Sequence, residues 1–136
     1  MKRKEVAEAY RTQQFEGASP LKILQMLNAG AIRYLKAAQE SEPDAPEYRE
    51  NLLSAEAIVN ELRASLDHEP NPELSASLDG LYLFMGGELS RAMLEGDESG
   101  IENSIQVLTT LLDGWNKAAR QLQADGKGQV GQGHVA

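Results

Sequence analysis

An all-α fold, an antiparallel up-and-down four-helix bundle, is predicted by three observations. Four apolar stripes recur at alternating spacings of 3 and 4 residues, the signature of one buried helix face. Short connections rich in helix breakers separate them, and loops this short join antiparallel neighbours. Aromatic residues make up only 5% of the chain and the β-branched residues form no alternating run, which argues against strands.

The elements follow in order. Residues 1–17 carry Val6, Tyr10 and Phe15 among polar neighbours, too sparse for a core helix but suited to docking on one. The first helix is expected over 19–40. Ser19 can accept a hydrogen bond from an orphan amide, and Pro20 at the first helical position loses an amide that had no partner. Its stripe is Leu24, Leu27, Ala31 and Leu35. Ser41-Glu42-Pro43-Asp44-Ala45 then leads to a second helix over 46–66, with stripe Tyr48, Leu52, Ala55, Val59, Leu62 and Leu66. Asp67-His68-Glu69-Pro70-Asn71 precedes a third over 72–94, with stripe Leu74, Leu78, Leu81, Met85, Leu89 and Ala92. Gly96 suits a helix C-terminus and Asp97 the start of the next. The fourth helix, over 99–122, carries Ile101, Ile105, Leu108, Leu112, Trp115, Ala119 and Leu122. The bundle domain is set at 18–123 and the Gly-rich remainder, 124–136, reads as a disordered tail. The core is expected to include Leu24, Ala31, Leu62, Leu81, Met85, Leu108, Leu112 and Trp115.

Composition excludes several functions. The 136 residues suffice for one core, and 41% apolar content is that of a globular chain. The formal net charge of −8 repels polyanions, so no nucleic-acid partner is expected. No apolar run approaches the ~20 residues of a membrane span, so no membrane insertion is expected, and no secretory signal follows the basic start. A cytosolic location is the default. There is no cysteine, hence no thiol chemistry.

No convergent set of reactive groups marks an enzyme. His134 lies in the tail and His68 in a connection, without a second ligand at helical spacing, so no metal and no cofactor are expected. His68 is also misplaced for a phosphotransfer bundle, which needs an exposed mid-helix histidine.

What remains is apolar surface beyond the core stripes. On a helical wheel of about 100° per residue, Ala76, Leu83, Gly87, Ser90 and Leu94 lie opposite the third helix's stripe, with Gly80 at the edge. The fourth helix carries a flank of Val107, Leu111, Gly114 and Ala118; the first adds Ile23, Met26 and Ile32, and the second adds Leu53, Ala57 and Ala64. Apolar patches rimmed by charge point to a protein partner, and grooves between helices suit amphipathic segments. Gly86-Gly87 costs ~2 kcal/mol of helix propensity, for a kink or for close approach of a partner.

The order and spacing of several short motifs resemble one family, the flagellin export chaperones (FliS). They are Ala9-Tyr10, the string from Ala18-Ser19-Pro20 to Gly30-Ala31, Ser65-Leu66-Asp67-His68-Glu69, Leu78 to Met85, and Gly96-Asp97 with Ile101-Glu102 and Trp115. Departures fall at Asn28-Ala29, Asn71-Pro72, Phe84 and Gly86-Gly87. The resemblance implies a cytosolic chaperone without ATP. It would bind the disordered C-terminal segment of flagellin, prevent premature polymerisation and deliver the subunit to the type III export gate for flagellum assembly. Flagellin and export-gate components are the implied partners. The segment around Tyr10 would cover part of the binding surface when the partner is absent. The expected partner-binding residues are Tyr10, Ile23, Met26, Leu27, Leu83, Gly87, Leu94, Val107, Leu111 and Ala118, with Leu27 alternatively in the core. The chain is expected to be a monomer or weak homodimer. The alternative is a helical homo-oligomer whose off-core stripes bury against a second copy.

Overall fold

The computed structural model describes residues 19–126. Tyr10 with its segment, and the tail from 127 onward, lie outside the described residues. Four helices follow one another: α1 (Pro20–Gln39), α2 (Pro46–Ala64), α3 (Pro72–Glu95) and α4 (Ser99–Gly126). α4 continues past the expected boundary at 123, so residues 124–126 are helical rather than part of a tail.

Local chemistry sets the ends. The Ser19 hydroxyl accepts the Lys22 N–H at 3.1 Å ahead of Pro20. Asn71 Oδ1 accepts the Leu74 N–H at 3.1 Å ahead of Pro72. α3 closes on Gly96, whose φ of 70° is left-handed backbone that costs glycine little. The Asp97 carboxylate accepts both the N–H and the hydroxyl of Ser99 at the start of α4. Those two hydrogen bonds hold its carboxyl below its ordinary value.

The helices form a closed ring of neighbours, α1 beside α2 and α4, and α3 beside α2 and α4. Cross-links show α2 and α3, and α1 and α4, running antiparallel, and short connections join the other two pairs. Arg63 near the end of α2 pairs with Asp79 near the start of α3 at 2.6 Å. At the other end of that pair, the Tyr48 hydroxyl donates to the Ala92 carbonyl at 3.3 Å. Gln25 early in α1 donates to Asn116 late in α4 at 2.8 Å, and Gln39 at the end of α1 donates to Glu102 at the start of α4 at 2.8 Å. An up-and-down four-helix bundle results.

One core runs its length, built from Leu27, Ala31 and Leu35; Leu52, Ala55, Ile58, Val59 and Leu62; Tyr82, Met85 and Leu89; and Ile101 and Leu108. Each large side chain removed from water contributes about 1.5–3 kcal/mol before entropy is counted. Of the expected core, Ala31, Leu62, Met85 and Leu108 are buried, and Leu24, Leu112 and Trp115 pack against it half-buried.

Three expectations need correction. Leu81 is not core: it is 36% exposed, and Tyr82 at 2% takes the buried place. Both sit 3 or 4 residues from Leu78 and from Met85, so spacing alone does not choose between them, whereas the packing of α3 against its two neighbours does. Leu27 is 1% exposed and belongs wholly to the core, not to a binding surface, because it lies between the flanks that α1 turns to α2 and α4. Ile32, read as off-stripe, is also buried, because α1 is covered on both flanks. At the helix ends Leu74 and Leu122 are exposed, since the ring of neighbours thins there.

Candidate docking groove between α3 and α4

The site begins with an imbalance on α3. Of six large apolar side chains exposed among the described residues, five are on this helix: Leu74, Leu81, Leu83, Phe84 and Leu94. A helix apolar on most of its circumference is normally buried on most sides, and α3 has only α2 and α4 as neighbours, which leaves its outward side bare.

Going round α3, the side toward α2 carries Asp79 and Gly86, and the side toward α4 carries Leu81, Phe84 and Glu88. Glu88 is buried at 5%, pairs with Arg91, and lies against Gly100 at the start of α4. A Cβ at Gly100 would stand 2.7 Å from a Glu88 carboxylate oxygen and 2.8 Å from its carbonyl, so glycine here permits close approach. From that junction the two helices run on with an open cleft between them.

The cleft has a volume of about 520 Å³. Leu81 and Phe84 form the α3 wall; Asn103, Gln106, Val107, Thr110 and Leu111 form the α4 wall. Val107 and Leu111 are half-buried against the core edge. Thr110 donates its hydroxyl to the Gln106 carbonyl at 3.0 Å. The lining thus has an apolar floor and a rim of amides and hydroxyls. None of its side chains titrates near neutral pH. Tyr82, next to Leu81 but turned inward, has its phenol pushed up to about 12 by burial.

Of the sequence-derived site residues, Val107 and Leu111 line the cleft. Ala118 continues the same flank of α4 two turns on, half-buried. Leu83 at 51%, Leu94 at 80% and Gly87 lie on the outward side of α3, next to the cleft but not in it. Ile23 and Met26 are half-buried on α1, packed against the core edge and away from the α3 wall. Leu81, Phe84, Asn103, Gln106 and Thr110 were missed. A usable signal exists: residues 80–87 and 103–112 contain no Asp, Glu, Lys or Arg in a chain that is 25% charged.

Among the described residues, no three His, Asp or Glu side chains converge as a metal would need. No helix among them is long and apolar enough to cross a membrane.

The sequence matches the family of the flagellar protein FliS over residues 2–122. It is 32% identical over 130 residues to a flagellar secretion chaperone FliS of Bacillus subtilis, covering 94% of each chain. It is 34% identical over 107 residues to the protein of that name in Vibrio cholerae, covering 76% of this chain and 78% of the other. The Escherichia coli protein of that name is 30% identical over 104 residues, covering 74% and 76%.

Proposed function

The chain belongs to the FliS family of flagellar secretion chaperones, and from that premise we propose that it binds the disordered C-terminal segment of flagellin in the cytosol. Binding keeps the subunit from polymerising early, and the complex is handed to the type III export gate. The cycle needs no ATP.

The observation that carries this reading is the uncovered apolar surface of α3 with the cleft beside it. A disordered tail must bury a large apolar area to offset several kcal/mol of ordering. The cleft with Val107 and Leu111, the outward side of α3 with Leu83, Gly87 and Leu94, Ala118 farther along α4, and Ile23 and Met26 on α1 supply a path around the bundle. Tyr10 belongs to the same proposed surface.

Calorimetric titration of the full chain with the C-terminal segment of its own organism's flagellin tests this. One-to-one binding with a negative heat-capacity change is expected, and Leu83→Asp weakens it while helix content is kept. Absence of binding up to ~100 μM by a folded protein rejects the reading. The outward face of α3, exposed and uncharged at Leu83 and Gly87, also favours a second reading, a homo-oligomer closed through that face. Light scattering separates the two, because a chaperone awaiting cargo is a monomer or weak dimer.

A further inference from the structure

We propose that α3 is jointed at Gly86-Gly87, so that residues 72–85 tilt as an arm along α2 while residues 88–95 stay fixed. This device goes beyond the cargo reading and does not depend on it.

The fold as it stands has no use for glycine at either position. Gly86 and Gly87 lie in the middle of one unbroken helix, Pro72–Glu95. Neither has the left-handed backbone that favours glycine, which among the described residues only Gly96 adopts. A Cβ at either would meet nothing within 4 Å, so no neighbour requires a small residue. After proline, glycine is the poorest helix former, and two in succession put the weakest point of α3 near its centre. Small-residue pairs of this kind are where helices bend.

The two sides of the joint are held differently. Residues 88–95 are gripped by both neighbours. The Tyr48 hydroxyl of α2 donates to the Ala92 carbonyl at 3.3 Å in a buried bond. On the α4 side the buried Glu88 packs so closely on Gly100 that a methyl group added there would collide with it. Polar ties hold residues 72–85 from the α2 side alone. Arg63 pairs with Asp79 at 2.6 Å, and the Ser75 hydroxyl donates to the Asp67 carbonyl, in the connection from α2, at 2.9 Å. Among the described residues no hydrogen bond or ion pair joins 72–85 to α4, and the open cleft lies there instead.

A tilt along the α2 seam therefore carries Leu81 and Phe84 toward or away from Val107 and Leu111 without drawing α3 off α2. The cleft changes width while its closed end, at Glu88 and Gly100, stays put. Ser77 lies nine residues before the joint, roughly 14 Å along the helix, so a bend of about 20° shifts it by roughly 5 Å.

Spin-label distances on the full chain test this, since the chain has no cysteine of its own. Ser77→Cys with Thr110→Cys, both exposed, spans the cleft; Glu95→Cys with Asn103→Cys, also exposed, spans the fixed end. The cross-cleft pair should give a distance distribution roughly 5 Å broader than the other. Adding Gly86→Ala and Gly87→Ala should narrow it to match. Amide hydrogen exchange on the unlabelled protein gives a second readout. The double alanine variant should slow exchange over residues 84–90 at least ~10-fold, whereas Gly114→Ala, at an equally open glycine of α4, should leave those amides within ~2-fold. The proposal is overturned if the cross-cleft pair is as narrow as the fixed one, if its breadth survives the two alanines, or if Gly114→Ala slows α3 as much as they do.

Discussion

Replacing Tyr82 with phenylalanine should stabilise the bundle, and more so at high pH. Tyr82 is 2% exposed, and its hydroxyl has no hydrogen-bond partner among the described residues. A hydroxyl buried without a partner costs roughly 1–3 kcal/mol. Removing one oxygen gives back a little of that in lost contact, so Tyr82→Phe should gain about 1 kcal/mol near pH 7. Burial raises the phenol from 10.0 to about 12. Above pH 10 the unfolded chain therefore gives up this proton while the folded chain keeps it, and stability falls as pH rises toward 12. Below pH 10 that contribution is fully present. The loss is about 1.4 kcal/mol for each unit above the ordinary value. Phenylalanine has no proton to lose, so the advantage of the variant should widen to about 2–2.5 kcal/mol near pH 11. Tyr48, also raised by burial and by Glu98 and Asp97, is common to both proteins and cancels. Urea unfolding followed by far-ultraviolet circular dichroism at the two pH values measures both differences. A variant less stable by ~1 kcal/mol at pH 7 would mean that the hydroxyl is satisfied in the fold, and an advantage that does not widen would mean that it is not desolvated.

Four other substitutions probe packing. Gly100→Ala should cost about 1–3 kcal/mol in urea unfolding, because the new methyl group meets Glu88 side chain and backbone at under 3 Å; an unchanged midpoint would show that α4 docks less closely. Gly87→Ala should gain about 1 kcal/mol of helix propensity, roughly 4 °C in Tm, since nothing lies within 4 Å of the added Cβ; a lower Tm would reveal a packing role for that glycine. Leu108→Ala should cost ~2–5 kcal/mol as a sealed cavity does, and the half-buried Leu112→Ala only about half of that; equal costs would place Leu112 deeper than it lies here.

The helix starts were legible because they are local. Ser19-Pro20, Pro46, Asn71-Pro72 and Asp97 act within one turn, and all four helices begin within a residue of where those signals put them. The cleft was only half legible. Val107 and Leu111 stood out as a flank, but Phe84 and Leu81 were absorbed into readings of family pattern and core. Their role depends on how far apart α3 and α4 stand, a distance that no single helix encodes.

By itself the sequence determined the fold class, the four helices, their antiparallel order and the family, since each follows from periodicity, breakers and motif order along the chain. The tertiary structure alone decided the facing of residues that periodicity leaves equivalent. Leu81 and Tyr82 are about 100° apart, both suit the spacing, and the packing of α3 against its neighbours left one exposed and buried the other. It decided likewise that Leu27 is core, that Gly100 must be small, and that two uncharged stretches some twenty residues apart face each other across one cleft. Helix periodicity specifies a face only to within a residue's turn, and contact between faces is a property of the assembled bundle.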